Sequence, residues 1–479
     1  MNTSPSTMEA ASTDERVAGP ARGFRTLDAE RERDSLAVSG SVPSWLTGSL
    51  LRIGPAKFEA GDRSLNHWFD GYSMLHRFAF ASGAVSYANR FLETKAYRAA
   101  SERGEIGYSE FATDPCRSLF KRVQAFFTPK ISDNANVNVT RLGDDVVAMT
   151  EAPLPIIFDP ATLRAAGIAS KAPGEHTTAH PHLDPRTGEG LFYAVKFGPR
   201  STYRLFARAD AGRQRELARV PAPRPAYMHS FGISERYAVL AECPLLVNPL
   251  DLVLSGRPFI ENYRWQPERG TRFLVIDRGS GSLVASVDAE PFFCFHHVNS
   301  YEEGDELVVD LTAYDDDEIV RALYLERLRS GGPIPAPELR RYRVPLRRGE
   351  ARGEALAPGF ELPRVNYRRV NGRPYRYAYG NGQARPGGFL ETIQKIDLQG
   401  GGVREWRRAG CYPGEPVFVA APRAHAEDEG VVLSLVLDAG AERSYLLVLD
   451  AGDLGELARA EAPHAVPFGF HGQFLRDAG

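Results

Sequence analysis

Thr271-Arg-Phe-Leu-Val-Ile-Asp-Arg-Gly-Ser-Gly-Ser-Leu-Val-Ala-Ser-Val-Asp-Ala289 is the stretch that decides the fold class. Two short apolar runs, Phe273 to Ile276 and Leu283 to Val287, flank the turn residues Arg278 to Ser282, which is the pattern of a β-hairpin. Gly430 to Leu449 repeats it, with Val431 to Val436 and Tyr445 to Leu449 on either side of Asp438-Ala-Gly-Ala-Glu-Arg443. Further strand-like runs lie at Asp145 to Thr150, Leu191 to Phe197, Tyr237 to Ala241 and Glu306 to Leu311. Hairpins recurring without long helical patterns between them predict an all-β chain in which small sheets repeat radially. A large β-sandwich is the architectural alternative. The repeats are too diverged for their period to fix a blade number.

Four histidines favour the radial arrangement. His180 lies in Thr-Ala-His-Pro, His229 in Tyr-Met-His-Ser-Phe-Gly, His296 in Phe-Cys-Phe-His-His-Val-Asn and His471 in Pro-Phe-Gly-Phe-His-Gly, each close to a strand-like run. Residues so far apart meet only if the fold brings strand ends to one axis, which a sandwich does not readily do. Imidazole suits Zn, Cu, Fe and Ni, so residue type alone does not name the metal. The 4 cysteines form no C-x-x-C, no zinc-module spacing is present, and His-Glu-x-x-His is absent. Glu151, Glu361 and Glu415 sit in equally apolar places, where a carboxylate is costly unless paired. Metal-bound histidines usually donate their second ring N–H to a carboxylate or carbonyl, so the two sets are chemically coherent.

Composition bounds the remaining classes. A length of 479 residues suggests about three ordinary domains, a prior that propellers exceed by repeating a blade. The formal net charge of −3 leaves no electrostatic footprint for nucleic acid. Residues 1–22, rich in Ser, Thr, Ala and Glu, read as a flexible N-terminal tail without the apolar core of a signal peptide, and 23–479 as one domain. No apolar run reaches the roughly 18 residues that span a bilayer. Sparse cysteine use, at Cys116, Cys243, Cys294 and Cys411, predicts a cytoplasmic protein.

Two segments depart from the hairpin pattern. Pro115 to Phe127 places Leu119, Phe120, Val123, Phe126 and Phe127 at helical spacing with Arg117, Lys121 and Arg122 mostly opposite, a basic amphipathic helix. Pro244 to Tyr263 is an apolar loop broken by Pro, Asn and Gly. Loops are ordinarily polar, so this one asks for a partner surface. Together the segments are expected to touch a membrane peripherally through the headgroup region, the bland alternative being that they pack on the fold.

From Gly48 to Gly472 the chain resembles the carotenoid cleavage oxygenases. Gly48-Ser-Leu-Leu-Arg-Ile-Gly-Pro55 and His67-Trp-Phe-Asp-Gly-Tyr-Ser-Met-Leu-His-Arg-Phe78 open the resemblance, and the seven His and Glu positions follow in the family's order. The resemblance implies a seven-bladed β-propeller, with loops and short helices capping a central Fe(2+), one per chain. It implies that His180, His229, His296 and His471 bind the iron and that Glu151, Glu361 and Glu415 orient the ligands. Of the neighbouring pairs, the family's His-x-x-Asn spacing to Asn299 favours His296 over His297, and His182 follows His180 by two residues. The implied reaction is O2-dependent cleavage of a conjugated C=C bond in a carotenoid or apocarotenoid.

Pro115-Cys-Arg-Ser-Leu-Phe, Ser132-Asp-Asn-Ala-Asn-Val-Asn and Phe295-His-His-Val-Asn-Ser-Tyr-Glu302 look like the animal β-carotene oxygenase and retinoid isomerase branch, which points to retinal formation. That branch also includes an isomerohydrolase with the same iron ligands. A stilbene dioxygenase would need a polar grip on a phenol, for which Lys95, Tyr97 and Lys130 are the candidates. A non-enzymatic propeller scaffold is the remaining alternative; it has no reason to keep a complete ligand set.

Overall fold

The Thr271–Asp277 and Leu283–Ala289 runs pair antiparallel, from Thr271↔Ala289 to Ile276↔Leu283. Asp277 shapes the turn, its Oδ1 accepting the backbone N–H of Gly279 at 3.0 Å and of Ser280 at 2.8 Å. Gly281 at φ +72° closes it against the Leu217 carbonyl, where a Cβ would clash. Thr271–Asp277 is buried almost throughout, whereas Leu283–Ala289 alternates with solvent. That contrast marks a sheet whose inner strands are covered on both faces and whose outer strand is half wet.

The computed structural model describes residues 19–115, 131–171, 174–347 and 349–476. Seven sheets of four to six strands follow one another as the blades of a propeller. The second to sixth blades occupy Asn138–Ile168, His176–Pro221, Gly232–Ala289, Phe293–Pro358 and Phe360–Arg407. Both chain ends close the ring. Strand Gly472–Leu475 pairs with Gly48–Lys57 in the first blade, and Val38–Gly40 pairs with Glu456–Glu461 on the outer edge of the seventh.

Apolar side chains fill each gap between blades: Tyr193 and Leu205 against Leu240 and Ile276, Phe78 against Leu446, Val147 against Phe192. The largest cluster rises from the fourth and fifth blades into a cap of short pieces. These are Trp68–Asp70, Lys95–Arg103, Asp251–Leu254, Ile260–Asn262, Glu318–Ala322 and Leu325–Arg329. Lys95–Arg103 starts where Thr94 Oγ1 accepts the Tyr97 N–H at 3.0 Å and Asp133 takes the Lys95 and Ala96 N–H groups.

Pro20 to Arg22, read in the sequence as the end of a tail, belong to the 3-10 turn Pro20–Phe24. Arg22 pairs with Glu442, and Phe24 meets Trp68 edge-on at 5.4 Å. The expected helix at 115–127 lies outside the described residues beyond Pro115, as do Cys116 and Lys130. The apolar segment at 244–263 divides. Leu245, Leu246, Val247 and Ile260 are core, and Leu252 packs inward, while Leu250, Val253 and Leu254 are 61, 50 and 71 % exposed.

Candidate metal centre

Each of the seven blades sends one of the seven singled-out residues to the axis. His471 immediately precedes the closing strand of the first blade and Glu151 follows strand Asp145–Met149 of the second. His180 interrupts the first strand of the third blade between His176–Thr177 and His182–Leu183, which both pair with Gly190–Lys196. His229 precedes Gly232–Ile233 of the fourth, and His296 lies within Phe293–Glu303 of the fifth. Glu361 lies within Phe360–Arg364 of the sixth, and Glu415 between Cys411–Pro413 and Val417–Ala420 of the seventh.

Local irregularity aims these side chains. One register shift spans His296, between Cys294 and His297, a second follows between His297 and Asn299, and another lies between Glu361 and Arg364, where Leu362 takes φ +50°. Such bulges re-aim side chains that a regular pleat would send to a fixed face. His471 is brought in by close backbone approach: a Cβ on Gly54 would lie 2.4 Å from the Gly469 Cα, so the chain before His471 can lie on the first blade only over glycine.

The four ring nitrogens available as ligands lie within 4.8 Å of one another. His180 Nε2 and His229 Nε2 are 2.9 Å apart, and His296 Nε2 and His471 Nε2 are 3.2 Å apart. The far nitrogens face carboxylates: His229 Nδ1 to Glu151 at 2.7 Å, His296 Nδ1 to Glu361 at 2.6 Å and His471 Nδ1 to Glu415 at 2.7 Å. His180 is set by its backbone, whose N–H donates to Thr178 Oγ1 at 2.9 Å.

These contacts assign the tautomers. An ionised carboxylate only accepts, so each facing Nδ1 carries the proton and each Nε2 presents a lone pair. The His296 and His471 lone pairs then oppose each other at 3.2 Å, a repulsive pairing that a shared cation reverses. Nitrogen ligands about 2.1 Å from a metal and at right angles stand about 3.0 Å apart, close to both measured separations. The donor set therefore fits a divalent transition metal held by neutral imidazoles. Burial and the neighbouring imidazoles push His180 well below its ordinary pKa, and burial brings His471 down to about 4. Both are uncharged at neutral pH, as metal ligands must be.

The carboxylates are supported in turn. Tyr227 donates its hydroxyl to Glu151 at 2.9 Å. Glu361 accepts the Leu362 N–H at 2.5 Å and the two hydroxyls of Thr312 and Tyr314 at 3.1 Å each. Glu415 accepts the Gly472 N–H at 2.9 Å and Arg364 Nε at 2.8 Å, with Arg52 3.7 Å away. Burial works against the Glu415 charge, yet Arg364, His471 and Arg52 together hold the carboxyl well below its usual range.

The pattern of apolar runs did not reveal Arg52, Arg364, Tyr227, Thr312 and Tyr314. Arg52 left one clue, a charge inside the apolar strand Gly48–Lys57. The other histidines weighed for the site stand outside the cluster. His182 bonds Tyr367 and the Phe231 carbonyl, and His297 Nδ1 meets Ser230 Oγ at 2.9 Å. Neither candidate phenol grip among the described residues lines the cavity: Lys95 is exposed, and Tyr97 stacks on Phe91 at 4.5 Å.

Above the cluster opens a cavity of about 1530 Å³, reaching His229, His296 and His471 at its floor. Trp68, Phe69, Phe111, Phe295 and Phe470 wall the inner end, while Leu250, Val253 and Leu254 stand at the other. The His67 to Phe78 motif places two of these rings. Asp70 accepts the His67 N–H at 3.0 Å and His67 Nδ1 accepts the Phe69 N–H at 3.1 Å, turning Trp68 and Phe69 toward the metal cluster.

Residues 24–476 match the family model described as retinal pigment epithelial membrane protein (RPE65). The mitochondrial carotenoid-cleaving dioxygenase of Mustela putorius furo is 34% identical, over 92% of this chain and 93% of that one. A carotenoid isomerooxygenase of Galleria mellonella is 37% identical, over 91% and 93%. Among solved structures, an ACO/RPE65 chimera superposes with a TM-score of 0.86 at 26% identity, covering 97% of this chain and 99% of that one. Cobalt-substituted Synechocystis ACO gives 0.85 at 26%, with the same coverage.

Proposed function

The chain belongs to the retinal pigment epithelial membrane protein family, and from that premise we propose that it is a non-haem iron dioxygenase cleaving a conjugated C=C bond of a carotenoid or apocarotenoid. Relatives named for carotenoid cleavage, the animal enzymes among them, support this chemistry and retinal as a product. One observation carries the reading: four imidazoles cluster at one point, and three of them reach the floor of an aromatic-walled cavity. Its volume exceeds the roughly 300–1,000 Å³ of ordinary ligand pockets, which suits an extended polyene.

His180, His229, His296 and His471 would hold one Fe(2+), with Glu151, Glu361 and Glu415 fixing three of the rings. When bound, iron supplies the activation of dioxygen beside the alkene, a task suited to an imidazole site with open positions. The balance is one alkene and one O2 giving two carbonyl products, with no external reductant. The protein's own contribution is positional. Phe69, Phe295 and Phe470 exclude water and press the polyene flat, and the carboxylate-held rings keep their lone pairs aimed without rearrangement.

The substrate is insoluble in water and must come from a membrane. Leu250, Val253 and Leu254 give the cavity an apolar rim that dips into the headgroup region, as a peripheral contact. Among the described residues no helix is long and apolar enough to cross a bilayer. Cys243, Cys294 and Cys411 are free and buried, which suits a reducing cytoplasm. Incubating iron-loaded protein with β-carotene, an apocarotenal and resveratrol tests the assignment. Aldehydes from either polyene support it; turnover of resveratrol alone moves the protein to stilbene cleavage.

A further inference from the structure

His180 differs from the other three candidate ligands in two ways. It is half-buried where His229, His296 and His471 are buried, and it does not line the cavity that those three reach. Its exposed surface therefore opens on the other side of the cluster. In five blades the chain beside the axis passes from residues that line the cavity to residues that do not: Val137 to Asn138, His176 to His182, His229 to Ser230, His296 to His297 and Leu362 to Arg364. The residues past the centre form a second layer on the far side, and all five are polar. Asn138, His182, His297 and Arg364 are half-buried there. Asn138 Nδ2 donates to the carbonyl of Ala179, next to His180, at 2.9 Å. Ser230 Oγ meets His297 Nδ1 at 2.9 Å, and the Arg364 charge is taken up by Glu415 at 2.8 Å.

We propose that this polar layer is the entrance for the metal, so that a hydrated divalent cation reaches His180 from the face opposite the cavity. The inference rests on the four-histidine assignment and goes beyond the reaction. A cation coming through the cavity would pass Phe69, Phe295 and Phe470, which offer nothing in exchange for its water. Stripping an ion of hydration without replacement is costly. On the far side an amide, a hydroxyl and imidazoles stand in for water as the ion approaches. His180 is then the first ligand met, and the other three rings close the site from behind it. Substrate and metal use separate openings, so a filled cavity does not stop the metal from entering.

Loading of metal-free protein with Co2+, whose visible absorption changes when imidazoles replace water, reads the route by stopped flow. Leu183 follows His182 on the far face and is 48 % exposed, while Leu254 is 71 % exposed at the cavity mouth. A charge at either position touches no ligand. At low salt Leu183→Glu should load about threefold to tenfold faster than Leu183→Lys, because a charged mouth steers an oppositely charged ion. The difference should vanish near 1 M salt, where the Debye length is about 3 Å. Leu254→Glu and Leu254→Lys should load alike. Filling the cavity with β-apo-8′-carotenal, its binding read by quenching of tryptophan fluorescence, should leave the loading rate near that of the empty protein. Equal rates for the two Leu183 variants, a charge effect at Leu254 in their place, or arrest of loading by the bound polyene each overturns the far-side entrance while leaving the metal centre standing. Protein that takes up no Co2+ at all sinks the metal centre and this entrance with it.

Discussion

Replacing Glu415 by Gln should do far more damage than the same change at Glu361, although each carboxylate faces one histidine. The difference lies in who faces the second oxygen. Glu361 Oε2 accepts His296 Nδ1 and the Leu362 N–H, while Oε1 accepts the hydroxyls of Thr312 and Tyr314. A glutamine can put its carbonyl toward His296 and its NH2 toward two hydroxyls, which rotate to accept. Only the charge is lost, and metal affinity should fall roughly 10–100-fold, as when an outer partner of a metal ligand is weakened. Glu415 has no such escape. Its Oε1 accepts from His471 and Arg364 and its Oε2 from the Gly472 N–H, all fixed donors, with Arg52 buried beside it. Either orientation of an amide sets donor against donor and leaves buried guanidinium charge without its partner. Removing one member of a buried ion pair costs about 3–5 kcal/mol. Calorimetric unfolding with iron titration against a competing chelator measures both effects. Glu415→Gln should lose about 3–5 kcal/mol of stability and more than about 100-fold in affinity. Equal behaviour of the two variants would refute the argument that donor geometry sets the cost.

Glu151→Gln should resemble Glu361→Gln, because the Tyr227 hydroxyl can reverse to accept; iron affinity read by the same titration would show a loss of roughly 10–100-fold. Acid should destabilise the metal-free fold well above the carboxylate range. Burial pushes His67 and His76 down to about 3, so below pH 6.5 the unfolded chain binds protons that the folded chain refuses. Each costs about 2 kcal/mol by pH 5, while Asp70, raised by burial to about 6, has the opposite sign and returns about 1.4 kcal/mol. Denaturant titrations at pH 7.5 and pH 5 should show a net fall, smaller by about 2 kcal/mol in His76→Gln; an identical pH dependence would remove His76 from the account. Leu250→Ser with Leu254→Ser should weaken liposome binding and turnover of membrane-held substrate while Tm stays unchanged, and undiminished liposome binding would remove the rim from substrate uptake.

Hairpins such as Thr271 to Ala289 were readable because polar turns and apolar runs follow each other at close range. Blade number was not, since blades differ in length and the seventh borrows Val38–Gly40 from the far end of the chain. The cap came only from the resemblance, because pieces of three to nine residues are too short to display helical periodicity. At the axis, the histidines and glutamates stood out as polar residues in apolar runs. Arg364 did not, being an arginine in a chain with 58 basic residues whose partner lies 51 positions away. Tyr227 and Tyr314 read as core, and burial does place them there; only the fold turns their hydroxyls toward Glu151 and Glu361. Leu252 and Leu254 look alike in sequence, yet one packs inward and the other lies in solvent, a difference set by a single short turn of helix.

The central claim is that these four imidazoles and no others hold the metal. Its most direct test is the iron content of six single alanine variants beside the wild-type protein: His180, His229, His296 and His471, with His182 and His297 as controls. The account predicts about one iron per chain in the wild-type protein, His182→Ala and His297→Ala, and loss of most iron from each of the other four. Full iron in His296→Ala with an emptied site in His297→Ala, or retention of iron by any of the four, would contradict it.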